Sequence, residues 1–139
     1  MWVAVEGAGM LALVDLRARA VVEQHPTDDG PHNLTVAGDG TVAAALYGSS
    51  EIAILRHGAL TTVDLGGRPH DVKAGDGRFV IANEAARRVE LVGTGGHRGP
   101  RIELRAEPHD LDLTPDGRKA WVTLNGTDEL ALVDLDTAS

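Results

Sequence analysis

The chain has 139 residues, no cysteine and a formal net charge of -8. This length suits one domain or part of one, and the lack of cysteine excludes disulfides and thiolate sites. The acidic balance disfavours nucleic acid as a partner because phosphates would be repelled. No segment approaches the roughly 20 apolar residues of a membrane span, and the N-terminus has no signal-peptide pattern.

The chain opens on two short apolar runs that return near its end. Residues 2–7 (Trp-Val-Ala-Val-Glu-Gly) align with residues 121–126 (Trp-Val-Thr-Leu-Asn-Gly). Residues 11–16 and 130–135 both read Leu-Ala-Leu-Val-Asp-Leu. Both pairs are separated by the same 119 positions. A constant separation of this kind indicates an internal repeat, which decides the fold before any single motif does.

Three heads of the form Pro-His-Asx mark the repeat. They begin at Pro31, Pro69 and Pro108, so they are 38 and 39 residues apart. Each head is followed by an alternating apolar run, an Asp-Gly pair and a second apolar run. Asp-Gly between two such runs is typical of a tight β-hairpin, because glycine adopts a positive φ without steric cost.

Each unit is predicted to contain four short strands. In the third unit we expect them over residues 70–74, 79–83, 89–92 and 101–105, each bounded by Gly, Asp, Asn or Pro. No window carries a helical stripe. Four strands in about 40 residues is the blade of a β-propeller. The predicted fold is therefore all-β: a propeller fragment of about three and a half four-stranded antiparallel blades.

The repeat also predicts the division of the chain. We expect one partial domain over residues 1–139, with blade 1 (partial) at 1–28, blade 2 at 29–66, blade 3 at 67–106 and blade 4 (partial) at 107–139. On this template blade 1 lacks its first strand and blade 4 its last. The remaining blades, or another chain, are then needed to close the ring. Two apolar faces would otherwise stay uncovered.

The heads supply the candidate site. In a propeller, the starts of the inner strands gather at one mouth of the central channel, together with loops between the second and third strands. The candidate ligand-binding residues are therefore His32, Asn33, His70, Asp71, Glu84, His109 and Asp110. Imidazoles beside carboxylates can form a metal site or an acid and base pair. A histidine repeated in every unit is more economically a structural device whose ring nitrogens bond a neighbouring strand or blade, so we assign no residue as catalytic or as a metal ligand.

The repeat resembles a known type of propeller. The pattern Pro-His-Asp-Leu, Thr-Pro-Asp-Gly-Arg, Trp-Val-Thr-Leu-Asn-Gly and Leu-Ala-Leu-Val-Asp-Leu within residues 108–135 resembles the YVTN-type repeat. The Pro-His heads are similar to those of the streptogramin lyases. The resemblance covers nearly the whole chain and implies a propeller. In the lyase case it implies a histidine general base, a glutamate and Mg²⁺. Related propellers are often exported, but the chain itself leaves the compartment undetermined.

These observations leave more than one function open. The leading hypothesis is a non-catalytic binding or scaffold segment that presents rim loops to a protein or small ligand and needs no cofactor. One alternative is a Mg²⁺-dependent enzyme similar to the streptogramin lyases. Another is a metal-binding propeller that uses the Pro-His heads. The fold alone cannot choose among them, because propellers carry unrelated activities on one scaffold.

Overall fold

The computed structural model describes residues 1–138, which form β-strands and one 3₁₀ turn at Glu6–Ala8. In chain order the strands are β1 (Trp2–Val5), β2 (Met10–Asp15), β3 (Ala20–Pro26), β4 (Pro31–Val36), β5 (Val42–Leu46), β6 (Glu51–Arg56), β7 (Ala59–Asp64), β8 (Pro69–Gly75), β9 (Arg78–Asn83), β10 (Arg88–Gly93), β11 (Arg98–Glu103), β12 (Glu107–Leu113), β13 (Lys119–Asn125) and β14 (Glu129–Asp134). The predicted all-β class is confirmed. In this part of the chain no helix is long and apolar enough to cross a membrane.

The strands form four antiparallel sheets that follow chain order. The sheets are β1-β2-β3, β4-β5-β6-β7, β8-β9-β10-β11 and β12-β13-β14, and we call them blades 1 to 4. With three, four, four and three strands, they confirm the prediction of about three and a half blades. The Asp-Gly hairpins also form as expected, with φ of 84°, 69° and 69° at Gly40, Gly77 and Gly117.

One strand differs from its predicted position. The outer strand of blade 3, β11, begins at Arg98 rather than at Arg101. The sequence Gly99-Pro100 suggests a loop, but an outer edge strand tolerates proline because the missing amide faces away from the ladder. A register shift in β10 between Glu90 and Val92 accommodates the added residues.

The blades meet through their first strands. β4 contacts β8, and β8 contacts β12, while β1 of blade 1 also lies against β4. The last strands of blades 1 and 2, β3 and β7, are mostly exposed. The first strands are therefore the inner edges around which the blades stack, and the last strands form the outer rim.

The apolar cores lie between blades rather than within one. Between blades 3 and 4, Val80 and Leu91 pack with Val122 and Leu124. Between blades 2 and 3, the core includes Phe79, which is fully buried. Because each apolar face is covered only by its neighbour, the hydrophobic stabilisation of one blade depends on the presence of the next.

Candidate functional site

The Pro-His-Asx heads lie at irregular points of the inner strands. Pro31 and Pro69 are the first residues of β4 and β8, and Pro108 is the second residue of β12. In each of these strands the pairing register shifts directly after the proline. A bulge of this kind leaves residues unpaired in their own sheet and redirects their side chains. The head histidines, with Asn33 and Asp110, are thereby left out of the ladder, whereas Asp71 still pairs with Ala82.

The structure brings the three head histidines together in a row. The ring centroids of His32 and His70 are 5.0 Å apart, and those of His70 and His109 are 3.8 Å apart. The ring of Tyr47 lies 5.3 Å from both His32 and His70. At the open end of the row, His32 Nδ1 is 3.3 Å from a carboxylate oxygen of Glu6. Four aromatic rings from three blades thus form one continuous surface.

Hydrogen bonds run from the heads of blades 2 and 3 to the next blade. Asn33 Nδ2 donates to the carbonyl oxygen of His70 at 3.2 Å. His70 Nδ1 donates to the carbonyl oxygen of His109 at 3.0 Å. The buried carboxylate of Asp71 accepts from the backbone N–H of Leu111 at 3.0 Å. Asn33, His70 and Asp71 therefore join blades, which is the role that a repeated head residue would have in a structural joint.

Asp71 is held from its own strand as well. Its carboxylate accepts from the backbone N–H of Val72 at 2.9 Å, and from Lys73 Nζ at 2.9 and 2.8 Å. A buried carboxylate is stable only when its oxygens are paired and hydrogen-bonded in this way. With both oxygens occupied, Asp71 is a poor candidate for contact with a ligand.

Burial and a neighbouring imidazole set the charge of His70. Desolvation lowers the pKa of this imidazole, and the proximity of His109 lowers it further. The opposing effects of the His109 carbonyl and the Asp110 carboxylate are smaller. His70 is therefore neutral at pH 7. Because a carbonyl oxygen can only accept, Nδ1 carries the proton and Nε2 keeps its lone pair.

Glu84 lies at a second junction of three blades. It is buried, and Arg68 holds one carboxylate oxygen through Nη2 at 2.9 Å and Nε at 3.1 Å. Tyr47 donates to the same oxygen at 3.5 Å, and Asn125 Nδ2 donates to the other at 3.4 Å. The guanidinium of Arg68 also lies 5.0 Å from the centre of the Tyr47 ring, a favourable cation–π distance.

Tyr47 and Arg68 are site residues that the sequence analysis missed. Tyr47 ends the second strand run of blade 2, and Arg68 immediately precedes the head at Pro69. The sequence offered one signal for them, because both residues lie beside the predicted mouth of the central channel. Neither residue recurs in the other units, so a search based on the repeat passes over both.

Gly67 fixes the linker that carries Arg68 into the site. Its φ is +92°, and a Cβ at this position would collide with Asn83 Oδ1 and Ala86 Cβ. Asn83 bonds both sides of this glycine: Nδ2 donates to the Gly66 carbonyl at 2.6 Å, and Oδ1 accepts from the Arg68 amide at 2.9 Å. The linker is thus held closely against blade 3.

The last head differs from the others because no blade covers it within residues 1–138. Asp110 has a side chain that is 58% exposed, and one of its oxygens lies 3.1 Å from His109 Nδ1. Its other oxygen is 3.6 Å from His70 Nδ1. His70, His109 and Asp110 each offer one ligand atom, and these three atoms lie within 4.8 Å of one another. This is the one cluster of three metal-ligating groups that the structure brings together in residues 1–138, and His70 in it is buried.

Known proteins were compared with this chain. No protein-family model matches the sequence, and no curated protein matches it significantly. Solved structures match closely in shape. Hydrazine synthase from Kuenenia stuttgartiensis superposes with a TM-score of 0.89 at 14% identity, over 99% of this chain and 43% of that one. Virginiamycin B lyase from Staphylococcus aureus gives 0.87 at 18% identity, over 97% and 48%.

The chain has the β-propeller fold. A third match, to dihydro-heme d1 dehydrogenase, has a TM-score of 0.82 at 19% identity, over 99% of this chain and 33% of that one. This chain thus spans between a third and a half of the length of these solved proteins. At such identities the likeness concerns the propeller fold alone.

The propeller is predicted to lose stability as the pH falls, because of His70. A histidine whose folded pKa is lowered binds protons less readily in the folded state than in the unfolded state. The contribution of His70 to the free energy of unfolding is therefore present above the unfolded pKa of about 6.5, and it is lost as the pH falls below that value. Urea unfolding between pH 7.5 and 5 should show this loss. The other titratable groups that act on the His70 imidazole are His32, His109 and Asp110.

The contribution of His70 can be isolated by substitution. His70→Gln should flatten the pH dependence below pH 6.5, because the amide can still donate to the His109 carbonyl without titrating. His57→Asn is the matched control, since His57 is an exposed loop histidine with a positive φ that asparagine also adopts. If the free energy of unfolding fell equally with pH in His70→Gln and in the unsubstituted chain, the loss of stability could not be assigned to His70.

Proposed function

We propose that this propeller is a non-catalytic binding module that presents the face around its Pro-His heads to a small ligand or a protein. The observation that supports this proposal is that polar side chains of the heads form hydrogen bonds between neighbouring blades. Asn33, His70 and Asp71 each bond the backbone of the next blade. A general acid or base must exchange its proton with a substrate, whereas these groups are engaged in holding the scaffold.

The exposed part of the same face suits binding. His109 and Asp110 are accessible at the last head, and Glu6 lies beside His32 at the first. Arg68 is anchored by Glu84 but remains partly exposed. Groups of both charges are thus presented from rigid strands and short loops. A rigid rim of this kind binds polar ligands with little loss of conformational entropy.

An enzymatic alternative comes from two of the solved neighbours. One is named virginiamycin B lyase, and another is an inactive variant of that enzyme with quinupristin. Mg²⁺ prefers an octahedral set of oxygen ligands. Here the carboxylate of Glu84 is paired with Arg68, and Asp110 stands beside two imidazoles. This donor set does not fit Mg²⁺, and we derive no step that uses it.

The non-catalytic proposal predicts that the chain does not linearise a streptogramin B lactone. The chain would be incubated with quinupristin and Mg²⁺, and the intact lactone followed by reversed-phase chromatography. Virginiamycin B lyase from Staphylococcus aureus serves as the positive control. We expect the lactone to persist. Turnover by this chain that disappears in His109→Ala would contradict the proposal and favour a lyase.

A second candidate function is the binding of a transition-metal ion at the last head. The specific observation is the convergence of ligand atoms from His70, His109 and Asp110. Two imidazoles and one carboxylate are donors that suit Zn²⁺, Ni²⁺ or Cu²⁺. A hydrogen bond from Nδ1 to the His109 carbonyl orients the His70 imidazole, as outer partners do in known metal sites. The neutral state of His70 also avoids competition from a proton.

Zinc titration of untagged protein by calorimetry tests this candidate. We expect one Zn²⁺ per chain at pH 7.5, with binding abolished in His109→Ala and weakened in Asp110→Asn. His57→Asn is the control, because His57 lies outside the cluster. Unchanged affinity in His109→Ala, or no binding by the unsubstituted chain, would exclude a metal site here while leaving the binding proposal for other ligands intact.

A further inference from the structure

Blade 3 has a buried carboxylate at a position where the other blades are apolar. Glu90 is the third residue of β10 and is only 2% exposed. The third residue of the corresponding strand in the other blades is alanine in every case, at Ala12, Ala53 and Ala131. A scaffold residue recurs from unit to unit, as the head histidines do. A carboxylate that occurs at this position in one unit alone therefore indicates a local role.

Three arginines surround the Glu90 carboxylate. Arg88 Nε donates to Oε1 at 2.8 Å. Arg98 Nη2 and Arg101 Nε lie 3.4 and 3.6 Å from Oε2. Among the described residues, no other carboxylate oxygen lies within 4.0 Å of these guanidinium groups. The cluster therefore holds three positive charges and one negative charge, on a chain whose formal net charge is -8.

A bulge between β10 and β11 places two of the arginines on one face of blade 3. In a regular strand, residues three positions apart point to opposite faces. Here the register shifts, and Arg98 lies opposite Val92. Arg101 lies opposite Glu90, which is two residues before Val92 and therefore on the same face. At Gly99, between the arginines, a Cβ would come within 3.1 Å of a carbonyl oxygen of β10, so glycine suits this close approach.

Arg88 alone makes short bonds at the joint between blades 2 and 3. It links Glu90 to the Leu65 carbonyl, to which Arg88 Nη2 donates at 2.7 Å. Arg98 Nη2 reaches the same carbonyl at 3.3 Å. The side chains of Arg98 and Arg101 are 38% and 46% exposed. Arg98 Nε and Nη1, and both Nη atoms of Arg101, have no partner in the part of the chain that the structure describes.

Two further carboxylates lie nearby but do not occupy these donors. The Ser50 hydroxyl and the Gly66 amide donate to Asp64 at 2.7 and 2.9 Å. These two bonds lower the pKa of Asp64, and Arg98 adds a smaller lowering. Glu103 lies opposite Arg88 in the sheet, but the two side chains form no ion pair. The exposed donors of Arg98 and Arg101 therefore remain available to a ligand.

We propose that Arg98 and Arg101 bind a phosphate group at the outer edge of blade 3, and that Glu90 holds their two guanidinium groups side by side. The planar fork of a guanidinium matches the oxygens of a phosphate. A dianion balances the two positive charges that Glu90 leaves uncompensated, whereas a carboxylate balances only one. This site lies on the outer strand, apart from the Pro-His heads, and takes inorganic phosphate or the phosphate of a small ester.

Calorimetric titration with inorganic phosphate and with phenyl phosphate tests the site. The titrations are run at low ionic strength, because salt screens exposed charges, and at about pH 7.5, where the phosphate is mainly a dianion. We expect one bound anion per chain, and severalfold weaker binding of acetate, which is a monoanion. Binding of inorganic phosphate alone would identify the free ion as the ligand, and binding of both would show that an ester is also accepted; either result supports the site.

Three variants separate a built site from a general effect of charge. Arg98→Gln should weaken phosphate binding by about tenfold, which corresponds to the loss of one charge-assisted hydrogen bond. Arg101→Lys should weaken it similarly although the net charge is kept, because lysine lacks the planar fork. Arg17→Gln is the matched control, since Arg17 is an exposed arginine in the turn after β2, and it should bind phosphate like the unsubstituted chain.

The variants are expected to fold, because the side chains of Arg98 and Arg101 are partly exposed, and urea unfolding checks this. The absence of saturable binding of either phosphate by the unsubstituted chain would overturn the proposal. Unchanged affinity in both Arg98→Gln and Arg101→Lys would also overturn it. So would equal weakening in Arg17→Gln and Arg98→Gln, because binding would then follow the net charge of the chain and not a site on blade 3.

Discussion

The structure depends on the contact between consecutive inner strands. Each apolar face is buried only by the next blade, so the alignment of β4, β8 and β12 determines whether the cores form at all. The Asp71 carboxylate is the central polar element of this contact, because it bonds the Leu111 amide across the joint and Val72 and Lys73 within its own strand. Loss of one partner of such a buried charge costs about 3–5 kcal/mol.

This constraint also shapes the functional site. A head residue that holds the next blade is unavailable to a ligand, which is the state of Asn33, His70 Nδ1 and Asp71. Within residues 1–138 no blade covers the last head, and His109 and Asp110 are accessible there. The same residue types thus form a joint in one unit and are exposed in another. The difference arises from the position of the blade in the series and not from the chemistry of the residues.

The sequence predicted the period, the hairpins and the convergence of His32, His70 and His109, because all three follow from a repeat read along the chain. It could not separate the joint role of Asp71 from the exposed state of Asp110, since both occupy the same position of the repeat. Tyr47 and Arg68 could not be predicted from the repeat for the opposite reason. They occur in single units, and their partners are decided by packing between blades.

Amide hydrogen exchange at Leu111 tests the central claim most directly. This amide lies on the inner edge strand β12 and donates to Asp71 across the joint, so its protection depends on the joint. The account predicts slow exchange in the unsubstituted chain and much faster exchange in Asp71→Ala, while the amide of Val133, which pairs with Ala120 between β13 and β14, changes far less. Fast exchange of Leu111 in the unsubstituted chain, or equal exchange in the two chains, would contradict it.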